Sequence, residues 1–366
     1  MFHIVFNIND AYAKYCAVTI TSIIQATNSK KLGGGGQTNS HKKNEKYVFH
    51  ILTENLTQTT QEKFQALAKS LNNTYPCEIL IYPISDKEFQ NCPKLHGTYT
   101  TYLRLKSASI LPKNITKCLY LDVDLFALSD LRDIFAIALG DNLLAAVGDF
   151  NTNKSLSPIL STQPYNFNPN AEYFNAGVML LNLQQWRKEQ LETKIFQFLS
   201  TYQVQYHDQD TINAVAKNRI LKLNPKWNLG FLYQFALENG LNINFNGGDV
   251  YLPYTLECFK EAMQSPVILH YHGNRIAKPW ESVYTKIDPQ MNGYLPLTHT
   301  SYQKWWAIAQ NTPIFNKELM QLQQDLKESA LQDYTKSLND ALKMRDTFFT
   351  QKIQALEMAL QNLIKT

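Results

Sequence analysis

Apolar positions along this chain change rhythm repeatedly between strand-like runs and helical spacing. Residues 3–9 read as a buried strand, and it leads into 11–25, where Tyr12, Tyr15, Cys16, Val18, Ile20, Ile23 and Ile24 recur at helical intervals. The next apolar run, 47–52, predicts a second strand, 58–71 a helix and 77–82 a third strand. Strand and helix in alternation are what a parallel sheet with helical crossovers requires. Between the first helix and the second strand, 28–46 turns polar around Gly33-Gly34-Gly35-Gly36. No Walker-type lysine and serine follow those glycines, so the stretch reads as a flexible surface insertion rather than a phosphate loop.

Further along, 98–110 is helix-like with Arg104 and Lys106 among apolar neighbours, and 117–123 reads as a strand that runs into Tyr120-Leu121-Asp122-Val123-Asp124. Residues i and i+2 of a strand share a face, so Asp122 and Asp124 are expected to point together. Two carboxylates aimed one way repel unless a cation lies between them, and oxygen-rich pairs suit Mg²⁺ or Mn²⁺. The alternative, and on these residues alone the weaker one, is that Asp124 merely ends a strand and Asp122 is solvated. Ser129 or Asp130 is placed to cap a following helix.

Another strand, 143–147, ends near Asp149, and a polar loop rich in Asn, Pro and Ser runs on to about residue 170. Loops of that length commonly serve binding, which makes this one a candidate cleft rim. Tyr173 to Asn182 sets an Asn175-Ala176-Gly177 turn against an apolar strand, where small residues allow close approach. A helix over 184–199 follows, and His207-Asp208-Gln209-Asp210 opens another. Asp208 and Asp210 also suit the first turn of a helix on dipole grounds, whereas Gln209 does not. The strand 266–272 ends at His270-Tyr271-His272 and leads through Gly273 to Lys278-Pro279-Trp280. His270 is a plausible third metal ligand beside two carboxylates, and Lys278 a cation for phosphate oxygens. From Phe315 onward, Leu319, Leu322, Leu326, Tyr334, Leu338, Phe349, Ile353, Leu356 and Leu360 follow spacings of three and four. This predicts a long amphipathic helix with coiled-coil tendencies, interrupted around Arg345.

Composition narrows the function. A net charge of +4 over 366 residues gives no stripe for nucleic acid. Five scattered cysteines without a CxxC pair suggest neither a disulfide framework nor a zinc site, in keeping with a reducing cytoplasm. The N-terminus has no signal-like run and no later stretch approaches a membrane span, so the protein is expected to be neither exported nor integral to a membrane. Acidic and basic residues of the terminal helix balance in number, which favours self-association over peripheral contact with anionic lipid at the inner face of the cytoplasmic membrane.

Taken in order, the opening strand with Tyr12, Arg104, Asp122-Val123-Asp124, Phe174-Asn175-Ala176-Gly177, Asp208-Gln209-Asp210 and His270-Tyr271-His272-Gly273 with Lys278-Pro279-Trp280 resemble the family-8 retaining glycosyltransferases. That group includes bacterial lipopolysaccharide galactosyl- and glucosyltransferases and is related to glycogenin. The resemblance covers about 1–285. It implies an α/β fold: a single Rossmann-like nucleotide-sugar-binding domain of the GT-A type with a mainly parallel mixed sheet, plus a C-terminal helical extension. Residues 1–285 would form the catalytic domain, 286–314 a connecting segment and 315–366 the extension.

By the same resemblance, Asp122, Asp124 and His270 hold Mn²⁺, or Mg²⁺, on the diphosphate of a UDP-sugar, with Val123 and Ala176 lining the donor. Lys278 and Gly273 lie against the phosphates and Arg104 contacts the donor. Asp208 and Asn175 hold sugar hydroxyls, Gln209 lies beneath the reacting sugar carbon, and Asp149 contacts sugar or acceptor. Tyr12 flanks the uracil. Base and ribose contacts fall to Asn7 and Asn9, where relatives commonly carry an acidic residue. The implied reaction moves galactose or glucose to a saccharide acceptor, an oligosaccharide or a lipid-linked saccharide such as the lipopolysaccharide core, with retention. Gln209 is a poor nucleophile, which favours same-face transfer, and Asp210 is the alternative nucleophile. The competing readings are an inactive nucleotide-sugar-binding relative and a scaffold that self-associates through the terminal helix.

Overall fold

The computed structural model describes residues 1–29, 45–90, 92, 94, 98–152, 155–168, 171–238, 250–251, 254–272, 277–282 and 299–364. Most of the glycine-rich insertion and Gly273 lie outside them. The chain opens with β1 (Phe2–Asn7), a short 3-10 turn and α1 (Ala13–Ser29), then β2 (Tyr47–Thr53), α2 (Gln58–Leu71) and β3 (Cys77–Pro83). The predicted 98–110 helix is instead a 3-10 stretch, Thr100–Lys106, that turns α-helical only in α3 (Ser107–Ile110). β4 (Lys117–Leu121) is followed by β5 (Leu125–Ala127), so the Asp122-Val123-Asp124 turn joins two strands rather than lying within one. Next come β6 (Leu144–Asp149) and three short strands within the expected polar loop: β7 (Asn151–Thr152), β8 (Ser155–Pro158) and β9 (Tyr165–Asn166).

The chain continues through β10 (Tyr173–Asn182), α4 (Leu183–Lys188), α5 (Leu191–Thr201), β11 (Tyr202–Gln203), α6 (His207–Val215), β12 (Ile220–Leu223), β13 (Leu229–Gly230), α7 (Phe231–Glu238) and β14 (Val250–Tyr251). It ends with α8 (Leu256–Gln264), β15 (Ile268–His270), α9 (Thr300–Gln310) and α10 (Asn316–Ile364).

Seven strands form one sheet in the order β12-β6-β10-β4-β1-β2-β3. Only β10 runs antiparallel to its neighbours, β4 and β6. The sheet is thus mixed and mainly parallel, and apolar residues fill both faces. Ile4, Phe6, Phe49, Leu119 and Leu180 face one core, while Val5, Leu52, Tyr120, Met179 and Leu181 face the other. That two-sided burial explains why the parallel strands read as continuous apolar runs.

Further expectations need correction. The single helix over 184–199 is two, because Gln190 adopts a left-handed conformation (φ 51°) between them. Glu189, at that break, is clamped by Arg219 at 2.6 Å. The element after Ser129 and Asp130 is a 3-10 turn, Arg132–Ala136, and Asp130 rather than Ser129 serves its start, accepting from the Arg132 amide at 3.0 Å and pairing with the Arg132 guanidinium at 2.7 Å. The terminal helix α10 runs unbroken for 49 residues through Arg345. Residues within the expected connecting segment also join the core, since Tyr302, Trp305 and Ala309 of α9 and then Phe315 and Leu319 are buried. Leu322 and Leu326 pack against them, whereas Leu331, Tyr334, Leu338, Phe348, Phe349 and Ile353 beyond are exposed. None of the described helices is long and apolar enough to cross a membrane.

Candidate active site

Two small structural devices bring residues 122–124 next to residue 270. The turn leaving β4 is pinned from below by Thr19 of α1, whose hydroxyl donates to the carbonyls of Val123 (3.2 Å) and Leu125 (2.8 Å). A separate three-stranded sheet, β13-β15-β5, then sets β15 antiparallel to β5 with His270 opposite Leu125. The Tyr271 amide completes the match by donating to the Asp124 carbonyl at 2.8 Å.

Ligand atoms of Asp122, Asp124 and His270 consequently lie within 4.8 Å of one another. His270 Nε2 is 3.0 Å from Asp124 Oδ1 and 3.8 Å from Asp122 Oδ2. Two carboxylates and an imidazole form a donor set that suits a hard divalent ion such as Mn²⁺ or Mg²⁺. Gly177, directly across, is required here: a Cβ at that position would lie 2.2 Å from His270 Cε1 and 2.9 Å from Asp122 Oδ2.

Charge is tightly arranged around this trio. Lys278 Nζ sits 2.7 Å from Asp124 Oδ2. Burial alone would raise the Asp124 carboxyl, but Lys278 and His270 hold it well below the usual carboxylate range. Lys278 in turn, despite burial, is raised by Asp124. Arg104, almost fully buried, places Nη2 2.9 Å from Asp122 Oδ1 and Nη1 3.1 Å from Asp208 Oδ2. It also donates to the carbonyls of Ala176 (3.0 Å) and Thr101 (3.1 Å), and its guanidinium lies over the Tyr120 ring. These contacts use four of its five N–H groups, so Arg104 acts chiefly as a clamp joining Asp122 to Asp208. Asp208 is held by Thr101 at 2.7 Å, yet burial, the largest influence, pushes its carboxyl up. The residue before it, His207, has a positive φ of 34°. Strained backbone of that kind is concentrated at functional sites.

Beside the trio, Asp149, Asn175 and Gln209 form a second polar group. Asn175 Nδ2 donates to Asp149 Oδ2 at 3.0 Å, and Gln209 Oε1 accepts from the Ala176 amide at 3.0 Å. The Asn175-Ala176-Gly177 stretch lies in β10 rather than in a turn, at a register irregularity between Phe174 and Met179 that breaks pairing with β6. Burial raises the Asp149 carboxyl, but His272 and hydrogen bonds from Asn175, the Phe150 amide and Tyr233 bring it below the usual range.

The remaining predicted residues have other partners. Asp210 is fully buried, with Tyr173 Oη at 2.6 Å on one oxygen and the Gln205 and Tyr206 amides at 2.9 and 2.8 Å on the other. It holds the loop before α6, and a carboxylate so occupied is not positioned as a nucleophile. Val123 points its side chain into the core. Asn9 caps the turn Asp10–Tyr12 by accepting from the Tyr12 amide. Asn7 donates to the Thr100 carbonyl at 3.2 Å, and its Oδ1 is buried with no hydrogen-bond partner among the described residues. Tyr12 is exposed and packs edge-on to Tyr15, which stacks on Trp280 at 4.3 Å and so anchors the Lys278 turn.

Several residues near the site carried no sequence signal strong enough to single them out. Thr19 and Tyr120 look like core positions of a helix and a strand. Asn228 follows the buried Trp227 in an otherwise ordinary Pro-Lys-Trp-Asn stretch, yet its Oδ1 lies 2.9 Å from His270 Nδ1.

The chain is similar to several known proteins. A putative glycosyltransferase of Haemophilus influenzae is 29% identical over 233 residues, covering 62% of this chain and 62% of that protein. This chain therefore spans less than two thirds of that relative's length. A lipopolysaccharide 1,3-galactosyltransferase of Salmonella typhimurium is 26% identical over 289 residues, covering 77% of this chain and 73% of that protein. Among solved structures, the galactosyltransferase LgtC in complex with donor and acceptor sugar analogues superposes with a TM-score of 0.56 at 23% identity, covering 84% of this chain and 95% of LgtC. That likeness is one of fold and identifies the architecture as GT-A-like. The profile of the family described as glycosyl transferase family 8 matches residues 3–283, three quarters of the chain, and the protein belongs to that family.

Proposed function

We propose that this protein is a metal-dependent retaining hexosyltransferase that moves galactose or glucose from a UDP-sugar to a saccharide acceptor of the lipopolysaccharide-core kind. The observation that carries the reading is the convergence of Asp122, Asp124 and His270 within 4.8 Å, with Lys278 on one side and the Asp149–Asn175–Gln209 group on the other. Mn²⁺ or Mg²⁺ held by the three ligands would neutralise charge developing on the departing diphosphate. Lys278 exchanges its contact with Asp124 for phosphate oxygens, and stabilises the leaving group more as the bond breaks. Arg104 keeps Asp122 and Asp208 at a fixed separation, which orients the ligands toward the donor and the Asp208 carboxylate toward sugar hydroxyls. Asn175 and Asp149 present further hydrogen-bonding groups to the sugar or the acceptor. Gln209, its carbonyl oriented by the Ala176 amide, faces the reacting carbon without forming a bond to it, and the acceptor enters on the same face.

The donor's base lies near Tyr12 and Asn7. Residues 1–285 carry the chemistry, and the exposed apolar side chains of α10 beyond Leu326 serve self-association. The test is turnover of a panel of UDP-hexoses with Mn²⁺ and no acceptor, with proton NMR of the first-formed hexose. The reading expects the α-anomer from UDP-galactose or UDP-glucose; a β-anomer as first product, or no turnover of either donor, contradicts it.

A further inference from the structure

We propose that Asn228 is a positioning residue that keeps a hydrogen on His270 Nδ1 and thereby leaves Nε2, which faces Asp122 and Asp124, as the nitrogen that would bind the metal. The inference rests on the metal-dependent reading above and deepens it, because it concerns how the third ligand is made ready.

Two neighbouring groups have hydrogen-bonding roles that are not adjustable. The Gly177 backbone N–H can only donate, and it gives its hydrogen to Asn175 Oδ1 at 2.9 Å. The Asp149 carboxylate can only accept, and it receives Asn175 Nδ2 at 3.0 Å. Together they fix which end of the Asn175 amide is oxygen. Asn228 approaches that same oxygen at 2.8 Å, so it must offer Nδ2. Its own Oδ1 is then turned to His270 Nδ1 at 2.9 Å, and an acceptor there requires the hydrogen on Nδ1. Reversing the Asn175 amide would set two donors against each other at Gly177 and two acceptors at Asp149, each a buried mismatch.

Backbone pairing holds the relay in place. Asn228 precedes β13, which runs parallel to β15 with Leu229 opposite Leu269 and Gly230 opposite His270. Asn175, Asn228 and His270 are all at most 8% exposed, so water does not compete for these bonds. Partners of this type, on the far ring nitrogen of a metal-binding histidine, are worth about 10- to 100-fold in metal affinity.

The test compares the wild-type protein with Asn228→Leu, which removes the acceptor, and Asn228→Asp, which keeps one. Mn²⁺ binding is titrated without nucleotide by the loss of the free-ion electron paramagnetic resonance signal. The hydrogen on Nδ1 is read from ¹⁵N-histidine NMR of protein loaded with diamagnetic Mg²⁺, because without metal the Asp124 carboxylate 3.0 Å from Nε2 calls for a second hydrogen there, and the His270 signals are assigned by their absence in His270→Gln. The proposal expects the Nδ1–H pattern in the wild type and in Asn228→Asp. It expects loss of that pattern and affinity weakened about 10- to 100-fold in Asn228→Leu. An Asn228→Leu protein that retains both wild-type affinity and the Nδ1–H pattern overturns it. If Asn228→Leu does not fold, an Nε2–H pattern in wild type or in Asn228→Asp overturns it equally. Absence of Mn²⁺ binding in the wild type removes the metal-dependent reading instead, and whether Nδ1 carries a hydrogen in the metal-free ring still decides the role of Asn228.

Discussion

Replacing Gly177 by alanine perturbs the candidate metal site by a single methyl group whose effect can be worked out. The new Cβ would lie 2.2 Å from His270 Cε1 and 2.9 Å from both His270 Nδ1 and Asp122 Oδ2. Ordinary contact begins near 3.4 Å, so the ring must retreat by 3.4 − 2.2, about 1.2 Å. Little around it can give way. The Gly177 carbonyl accepts from the Asp122 amide at 2.8 Å, its N–H is bonded to Asn175, and the His270 ring is 1% exposed. Gly177 is not among the residues with positive φ, so alanine brings no backbone strain and the effect is steric alone.

Metal–ligand distances tolerate only about 0.2 Å. The substitution is therefore expected to weaken Mn²⁺ binding more than about 100-fold and to abolish UDP-sugar turnover with it. Overpacking of this kind costs about 1–3 kcal/mol, which lowers Tm by several degrees without unfolding the protein. Mn²⁺ titration by electron paramagnetic resonance, alongside a thermal melt, separates the two effects. Wild-type Mn²⁺ affinity in a folded Gly177→Ala protein would refute the reasoning.

Three further outcomes follow from the same geometry. Asp210→Asn should lose about 1–3 kcal/mol of stability, because an amide cannot accept all three hydrogen bonds, while kcat of the folded protein stays within about threefold; a hundredfold fall in kcat at unchanged Tm would return Asp210 to the chemistry. His50, buried against His3 and Tyr82, is pushed down to about 3 by burial and then by His3. Its folded pKa lies below the unfolded value, so its contribution to stability is complete above about pH 6.5 and declines by about 1.4 kcal/mol per unit as pH falls toward 3. Denaturation curves of the wild type and His50→Gln should diverge over that window, and parallel curves would exclude the assignment. Ending the chain at residue 327 keeps the buried Phe315 and Leu319 and removes the exposed apolar stretch. The expected result is unchanged turnover with fewer chains per particle by light scattering; an unchanged number of chains per particle would dismiss self-association through α10.

Much of this architecture was legible in the residues. The apolar runs and the period-3.6 pattern located β2, α2 and β3 to within a residue, because a strand buried on both faces, as β2 is, and a helix with one apolar stripe leave little ambiguity. The ordered motifs pointed to Asp122, Asp124, His270 and Lys278, which the fold then brings together. What was hidden depends on tertiary context. Nothing local reveals that β10 runs antiparallel, that Gln190 turns left-handed, or that Asp122 and Asp124 leave the strand and sit in a turn stapled by Thr19. Asp208 and Asp210 look equivalent in sequence. One faces Arg104 and Thr101 at the site, and the other closes on Tyr173 and two backbone amides, a distinction set by which side of α6 each occupies.

The central claim is that the Asp122–Asp124–His270 cluster holds a divalent ion needed for cleaving a UDP-sugar. The most direct measurement is UDP release from UDP-galactose and UDP-glucose by chelator-stripped protein before and after Mn²⁺ is restored, in the wild type and in Asp124→Ala. The account predicts release only with metal, and a loss of at least about 100-fold in Asp124→Ala. Release that proceeds equally without metal, or that survives in the variant, would contradict it.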